Sequence, residues 1–127
     1  MNRTLLTLAG TLGFTAVLLG AFGAHGLRDR LAPALLEIYR TGVLYHLVHA
    51  LVVLAIAIGA DRLRRPRLVA GLFTAGIVIF SGTLYLLAIT GIMRLGAITP
   101  VGGLLLLAGW ASLIVEGFGR DRARPTT

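Results

Sequence analysis

Four long apolar runs dominate the pattern of hydrophobic and polar positions: residues 5–24, 42–60, 68–89 and 95–115. None of them contains Asp, Glu, Lys or Arg. Each is close to the roughly 20 residues that a helix needs to cross about 30 Å of hydrocarbon. Because backbone groups in lipid must be satisfied internally, the runs predict helices. We therefore expect an all-α polytopic membrane protein, a four-transmembrane-helix bundle that forms one integral membrane domain over residues 1–127.

The segment between the first two runs has a different pattern. Residues 27–38 place apolar side chains at helical spacing, at Leu27, Leu31, Leu35 and Ile38. This pattern predicts a short amphipathic helix on the outer membrane surface. Pro33 would break or kink such a helix unless it lies in the first turn. The alternative is a connector whose apolar side packs against the bundle.

Composition supports the membrane interpretation. The chain is 57% hydrophobic and 13% charged, whereas soluble domains average about 45–50% and about 25%. These values exclude a disordered segment and an ordinary water-soluble enzyme domain. The absence of cysteine excludes disulfides, a thiolate nucleophile and Cys-ligated metal. The polar residues 119–127 predict a frayed tail.

The arginines predict the orientation in the membrane. With four spans, one side carries eight of the twelve arginines, namely Arg3, Arg62, Arg64, Arg65, Arg67, Arg120, Arg122 and Arg124. The other side carries the remaining four, namely Arg28, Arg30, Arg40 and Arg94. Positive loops favour the cytoplasm, so we expect both termini there, in the inner or plasma membrane. The net charge of +7 therefore reflects topology, and we expect no nucleic-acid partner.

Polar residues inside the spans are the candidate functional residues, because burying them in lipid is costly. His46 and His49 lie three residues apart, on one face of the second span. The directions of the spans lead us to expect one polar layer in the outer half of the bundle. That layer comprises His25, Tyr45, His46, His49, Ser81, Tyr85, Arg94 and Thr99.

Four roles for this layer stay open. Its members could hydrogen-bond between helices, line a cavity for a small molecule, lipid or quinone, or relay protons. A metal or haem site would use His25, His46 and His49. The absence of charged residues inside the spans argues against an ion path.

Four motifs resemble one known family. They are GAFGAHGL at residues 20–27, YHLVHAL at 45–51, FSGTLY at 80–85 and LGAITPVGG at 95–103. In this order they are similar to the YgdD-like or transmembrane protein 256 family, domain of unknown function 423. The resemblance covers nearly the whole chain and implies a small inner-membrane protein of about four spans. It implies no reaction.

We expect a non-enzymatic bundle that binds a hydrophobic ligand or acts as an accessory subunit of a membrane complex, without a cofactor. One alternative is a small-solute transporter or channel-like oligomer, and another is a histidine-based metal or haem protein. The expected partners are the lipid bilayer and either other membrane subunits or further copies of this chain.

Overall fold

The computed structural model describes residues 1–121 and contains four long helices. They are α1 (Arg3–His25), α2 (Pro33–Ile58), α3 (Pro66–Thr90) and α4 (Thr99–Asp121). All four are long and apolar enough to cross a membrane, and residues 1–121 contain no strand. The prediction of an all-α protein with four spans is therefore confirmed.

The segment expected to form a separate surface helix is divided between a turn and the start of α2. Residues 26–32 form the turn, and Leu27 is buried there against the bundle. Pro33 starts α2 because its ring suits the first helical turn, where no backbone N–H is needed. From Pro33 the helix continues without a break to Ile58, about 39 Å at 1.5 Å per residue.

The other connections are short and contain single 3₁₀ turns, Ala60–Arg62 before α3 and Met93–Ala97 before α4. Gly91 ends α3 with φ of 70°, a left-handed conformation that glycine adopts without strain. At the other end of the chain, α4 continues to Asp121, so the expected frayed tail is helical over its first three residues. Residues 122–127 lie outside the described part of the chain.

The helices pack mainly against their neighbours in the chain, which places α2 and α3 in the middle. Their shared core centres on Val53, Val69, Phe73 and Ile77. The flanking helices α1 and α4 present large apolar side chains outward, among them Phe14, Leu104 and Phe118. On a membrane protein these side chains face lipid, which solvates them as the core does.

Three hydrogen bonds join the loop before α3 to the end of α4. The Glu116 carboxylate accepts hydrogen bonds from the backbone N–H groups of Arg64 at 2.8 Å and Arg65 at 3.1 Å. In return, the Arg64 guanidinium donates to the carbonyl of Gly119 at 3.0 Å. The first turn of α3 has no side-chain cap from its own loop, so Glu116 supplies the acceptor that this helix end needs.

Glycines allow α3 and α4 to approach closely. A Cβ atom added at Gly102 would lie 2.3 Å from the backbone nitrogen of Phe80. A Cβ atom at Gly76 would lie 2.5 Å from Leu106 Cδ2. Small residues at such crossings are what helix association in lipid requires, because there the packing itself provides the attraction.

We therefore expect Gly102→Ala to destabilise the protein by about 1–3 kcal/mol, since the new methyl group meets backbone that cannot move aside. The measurement is thermal unfolding followed by circular dichroism in detergent. The matched control is Gly117→Ala on the same helix, where no atom lies within 4 Å of the added Cβ. Equal melting temperatures for the two variants would contradict the close α3–α4 contact.

Candidate functional site

His46 connects three helices. Its Nδ1 atom lies 2.9 Å from the Tyr85 hydroxyl on α3, and its Nε2 atom lies 3.3 Å from Thr15 Oγ1 on α1. The Thr15 hydroxyl donates to the carbonyl of Thr11, so it accepts from His46. Tyr85 then donates to Nδ1, and we assign His46 as a neutral imidazole protonated on Nε2.

His49 connects α2 to α4 with the opposite assignment. Its Nδ1 atom lies 2.7 Å from the carbonyl of Tyr45, which can only accept, so Nδ1 carries the proton. Its Nε2 atom accepts from the indole Nε1 of Trp110 at 3.3 Å. Both ring nitrogens of His49 are therefore engaged within the protein.

Three further hydrogen bonds join consecutive helices. The Tyr39 hydroxyl donates to the carbonyl of Leu19, which joins α2 to α1. The buried Ser81 hydroxyl donates to the carbonyl of Gly42 at 2.7 Å, which joins α3 to α2. The side chains of Thr83 and Thr99 meet at 2.8 Å, which joins α3 to α4.

Most residues of the polar layer hydrogen-bond between helices, which is one of the four roles considered from the sequence. Among the described side chains of residues 1–119, every buried polar atom has a hydrogen-bond partner. Sequence reasoning singled out Thr99 as a candidate but missed its partner Thr83. Thr83 could have been recognised from the sequence, because it carries a hydroxyl group two residues after Ser81 in an otherwise apolar run.

The layer lies between the middle of the bundle and the end opposite the Arg64–Arg65 loop. His46 lies 13 residues after Pro33, so the early start of α2 places it about 20 Å from that helix end. Because α2 is 26 residues long, Tyr45 and His46 occupy its middle. Tyr85 lies five residues before the end of α3 and Thr99 is the first residue of α4, so these two lie closer to the end opposite the Arg64–Arg65 loop.

The structure does not bring His25 and Arg94 into this layer. Both are exposed at the end of the bundle opposite the Arg64–Arg65 loop. His25, His46 and His49 therefore form no common ligand set, and residues 1–121 contain no group of three or more His, Cys, Asp or Glu placed to hold a metal. A metal at His46 or His49 would have to displace the hydrogen bonds described above.

An open groove of about 520 Å³ lies beside this layer, and we call it the Tyr45 groove. It is lined by Tyr45, His49, Phe80, Pro100, Gly103, Leu104, Leu106, Leu107 and Trp110. One wall is a row of rings. Tyr45 lies 4.5 Å from Phe80 and 5.8 Å from His49 between centroids, and His49 lies 6.2 Å from Trp110. Tyr45 is 40% exposed, and none of the groups described in residues 1–119 bonds its hydroxyl.

A second groove of about 400 Å³ lies on the other side of Trp110, and we call it the Arg62 groove. It is lined by Val52, Ala55, Ile56, Gly59, Arg62, Leu63, Trp110 and Leu113. The two grooves follow the α2–α4 gap in opposite directions from Trp110, which lines both. The side chains of the chain's single tryptophan and of His49 thus bridge a gap that the helix backbones do not close.

Comparison with known families shows where the chain belongs. The family profile described as "Protein of unknown function (DUF423)" matches residues 19–103, which is more than half of the chain. The chain belongs to this family. The resemblance seen in the four sequence motifs is thereby confirmed.

Curated relatives of this family are membrane proteins. The chain is 48% identical to the UPF0382 membrane protein YwdK of Bacillus subtilis over 79% of this chain and 84% of that protein. It is 42% identical to a UPF0382 membrane protein of Haemophilus influenzae over 93% and 96%, respectively. It is 38% identical to the UPF0382 inner membrane protein YgdD of Escherichia coli over 90% and 88%. No solved structure matches the chain.

The family profile covers most of the candidate site. It includes all of α2 and α3, with His46, His49 and Tyr85, and it ends in the second turn of α4. Trp110 and Glu116 lie beyond it. The DUF423 match therefore identifies a small membrane protein of this family, and it carries no information about the indole that divides the two grooves.

We expect Tyr85→Phe to destabilise the protein by about 0.6–1.7 kcal/mol, the range measured for hydrogen bonds between membrane helices. The cause is the loss of the donor to His46 Nδ1 in a region without water. Thermal unfolding in detergent measures the change. Tyr45→Phe removes the same atom from a tyrosine without an internal partner, so it should leave the stability unchanged. A Tyr45 variant as unstable as the Tyr85 variant would contradict the assignment.

Proposed function

We propose that this membrane protein is a non-enzymatic helical bundle that holds a hydrophobic ligand in the Tyr45 groove. The ligand is an apolar molecule with a hydrogen-bonding oxygen, and the isoprenoid quinones are the chemical class that fits best. The observation that carries the proposal is the unpartnered Tyr45 hydroxyl in a groove walled by apolar and aromatic side chains.

The Tyr45 hydroxyl favours this class over an ordinary phospholipid, because the acyl chains of a phospholipid have no hydrogen-bond acceptor within the hydrocarbon region. A quinone that lies within the hydrocarbon region can place a carbonyl oxygen at this level and accept the bond from Tyr45. Its planar ring would then stack along the row formed by Phe80, Tyr45 and His49.

The chemistry of the groove supports binding rather than catalysis. None of its lining residues is charged, and the one titratable imidazole, His49, has both nitrogens engaged. A few polar groups in a mostly apolar cleft are typical of small-molecule sites. The lipid bilayer is the proposed partner of the remaining apolar surface on α1 and α4.

Binding can be followed through Trp110, the chain's single tryptophan, which lines the groove. We expect decylubiquinone to quench its fluorescence saturably in protein reconstituted in lipid nanodiscs. Gly103→Leu should weaken this binding at least tenfold, because the new side chain extends into the groove from a position where a Cβ fits. Tyr45→Phe should weaken it about 2- to 12-fold, the equivalent of one hydrogen bond of 0.5–1.5 kcal/mol.

The matched control for this experiment is Gly117→Leu, on the same helix but outside the groove, which should bind as the unchanged protein does. Quenching that rises linearly without saturation, or that is the same in the Gly103 and Gly117 variants, would show partition into lipid and would overturn the proposal.

We further infer that both termini lie in the cytoplasm. The support is the arginine asymmetry. Arg3, Arg62, Arg64, Arg65 and Arg67 lie at one end of the described helices, whereas Arg28, Arg30, Arg40 and Arg94 lie toward the other. Basic residues close to the ends of spans are retained on the cytoplasmic side during insertion.

The absence of cysteine allows a direct test of this orientation. In intact cells, Asp29→Cys should react with a membrane-impermeant maleimide, and Asp61→Cys should react only after permeabilisation. Both positions are exposed, and both substitutions leave the number of arginines unchanged. The cysteine-free chain measures the background. The opposite labelling pattern would contradict the proposed orientation.

A further inference from the structure

The Arg62 groove begins at the arginine-rich end of the bundle. Its lining follows the last two turns of α2 from Val52 and continues past Gly59 to Arg62 in the loop, and on α4 it reaches Trp110 near the middle of that helix. The groove therefore extends from the headgroup level at Arg62 to the bilayer centre at Trp110.

The size and lining of the groove suit a lipid chain. The groove holds about 400 Å³ and is open along its length. Its walls along α2 and α4 are aliphatic, with Val52, Ile56 and Leu113 among them. A single flexible acyl chain can occupy such a space without displacing any helix.

Charge identifies the headgroup. Arg62 is the one charged residue that lines the groove; its side chain is exposed, and it takes part in neither of the two ion pairs found among the side chains of residues 1–119. Two acidic side chains in this part of the chain have partners of their own. Asp61 pairs with the Met1 amino group, whose hydrogen bond and charge lower the pKa of that carboxyl. Glu116 binds the backbone N–H groups of Arg64 and Arg65.

We propose that the Arg62 groove binds one anionic phospholipid of the leaflet that faces the arginine-rich loop. The lipid phosphate contacts Arg62, and one acyl chain lies between α2 and α4 as far as Trp110. Basic sites between membrane helices at this level suit anionic headgroups. The last carbonyls of α2 lie close by and disfavour an anion, so binding depends strongly on the arginine. The site is distinct from the Tyr45 groove, which lies on the other side of Trp110.

The test is native mass spectrometry of the full chain, purified and exposed to phosphatidylglycerol or to phosphatidylcholine with identical acyl chains. We expect one phosphatidylglycerol molecule to be retained and at least fivefold less phosphatidylcholine. Arg62→Gln should reduce the retained phosphatidylglycerol at least fivefold. Arg67→Gln is the matched control, because it removes the same charge from an exposed residue outside the groove, and it should change retention less than twofold.

A second variant tests the part of the site that would hold the acyl chain of the lipid. Ala55→Leu adds bulk to an exposed lining residue of the groove, so it should reduce retention without removing any charge. Equal retention of the two lipids, equal losses in the Arg62 and Arg67 variants, or undiminished retention in Ala55→Leu would overturn the proposal. Gly103→Leu, which blocks the Tyr45 groove, should leave phosphatidylglycerol retention unchanged, so the failure of one proposal is distinguishable from the failure of the other.

Discussion

Inside a bilayer a polar atom has no water to bond, and this constraint organises the protein. Each consecutive pair of helices is joined by a hydroxyl that reaches across to its neighbour, as Ser81 reaches the carbonyl of Gly42. Such bonds need close backbones, and glycines permit the approach. A Cβ atom at Gly42, for example, would lie 2.9 Å from the ring of Tyr85. Small residues and polar residues therefore act together, because the small residues allow the short distances between helices that the polar residues need for their hydrogen bonds.

The same constraint explains why most of the polar layer is hydrogen-bonded between helices. His46 and His49 share a face of α2, yet each turns to a different neighbour and each is neutral by its hydrogen-bond pattern. A residue with all of its bonds made inside the protein has little left to offer a ligand. Tyr45 differs because only its ring is engaged, with Phe80 and His49. We therefore look for function beside the layer, at the side chain whose hydroxyl has no partner inside the protein.

Sequence reasoning recovered the four spans because an uncharged run of about 20 apolar residues has one stable solution in lipid. It placed the start of α2 nine residues late, because it took the uncharged run from Gly42 as the span and residues 27–38 as a separate surface helix. In the structure Glu37 and Arg40 pair at 3.2 Å on the outside of the helix. That shift places His46 near the middle of α2. The exposure of His25 and the two grooves were not predictable, because helices that are apolar on all sides do not reveal which face packs or how far apart two helices stand.

Both grooves follow from the position of one side chain. Gly102 and Gly109 bring α4 against Phe80 and Phe73 of α3, so this face of α4 packs closely. Trp110 follows Gly109 and is rotated about 100° around the helix, toward α2. Its indole N–H needs an acceptor in lipid, and His49 provides one at 3.3 Å. A ring of this size keeps α2 and α4 apart on both sides of the bond. The spaces left along the gap are therefore produced by the contact that joins the two helices, and the indole makes them two sites instead of one continuous channel.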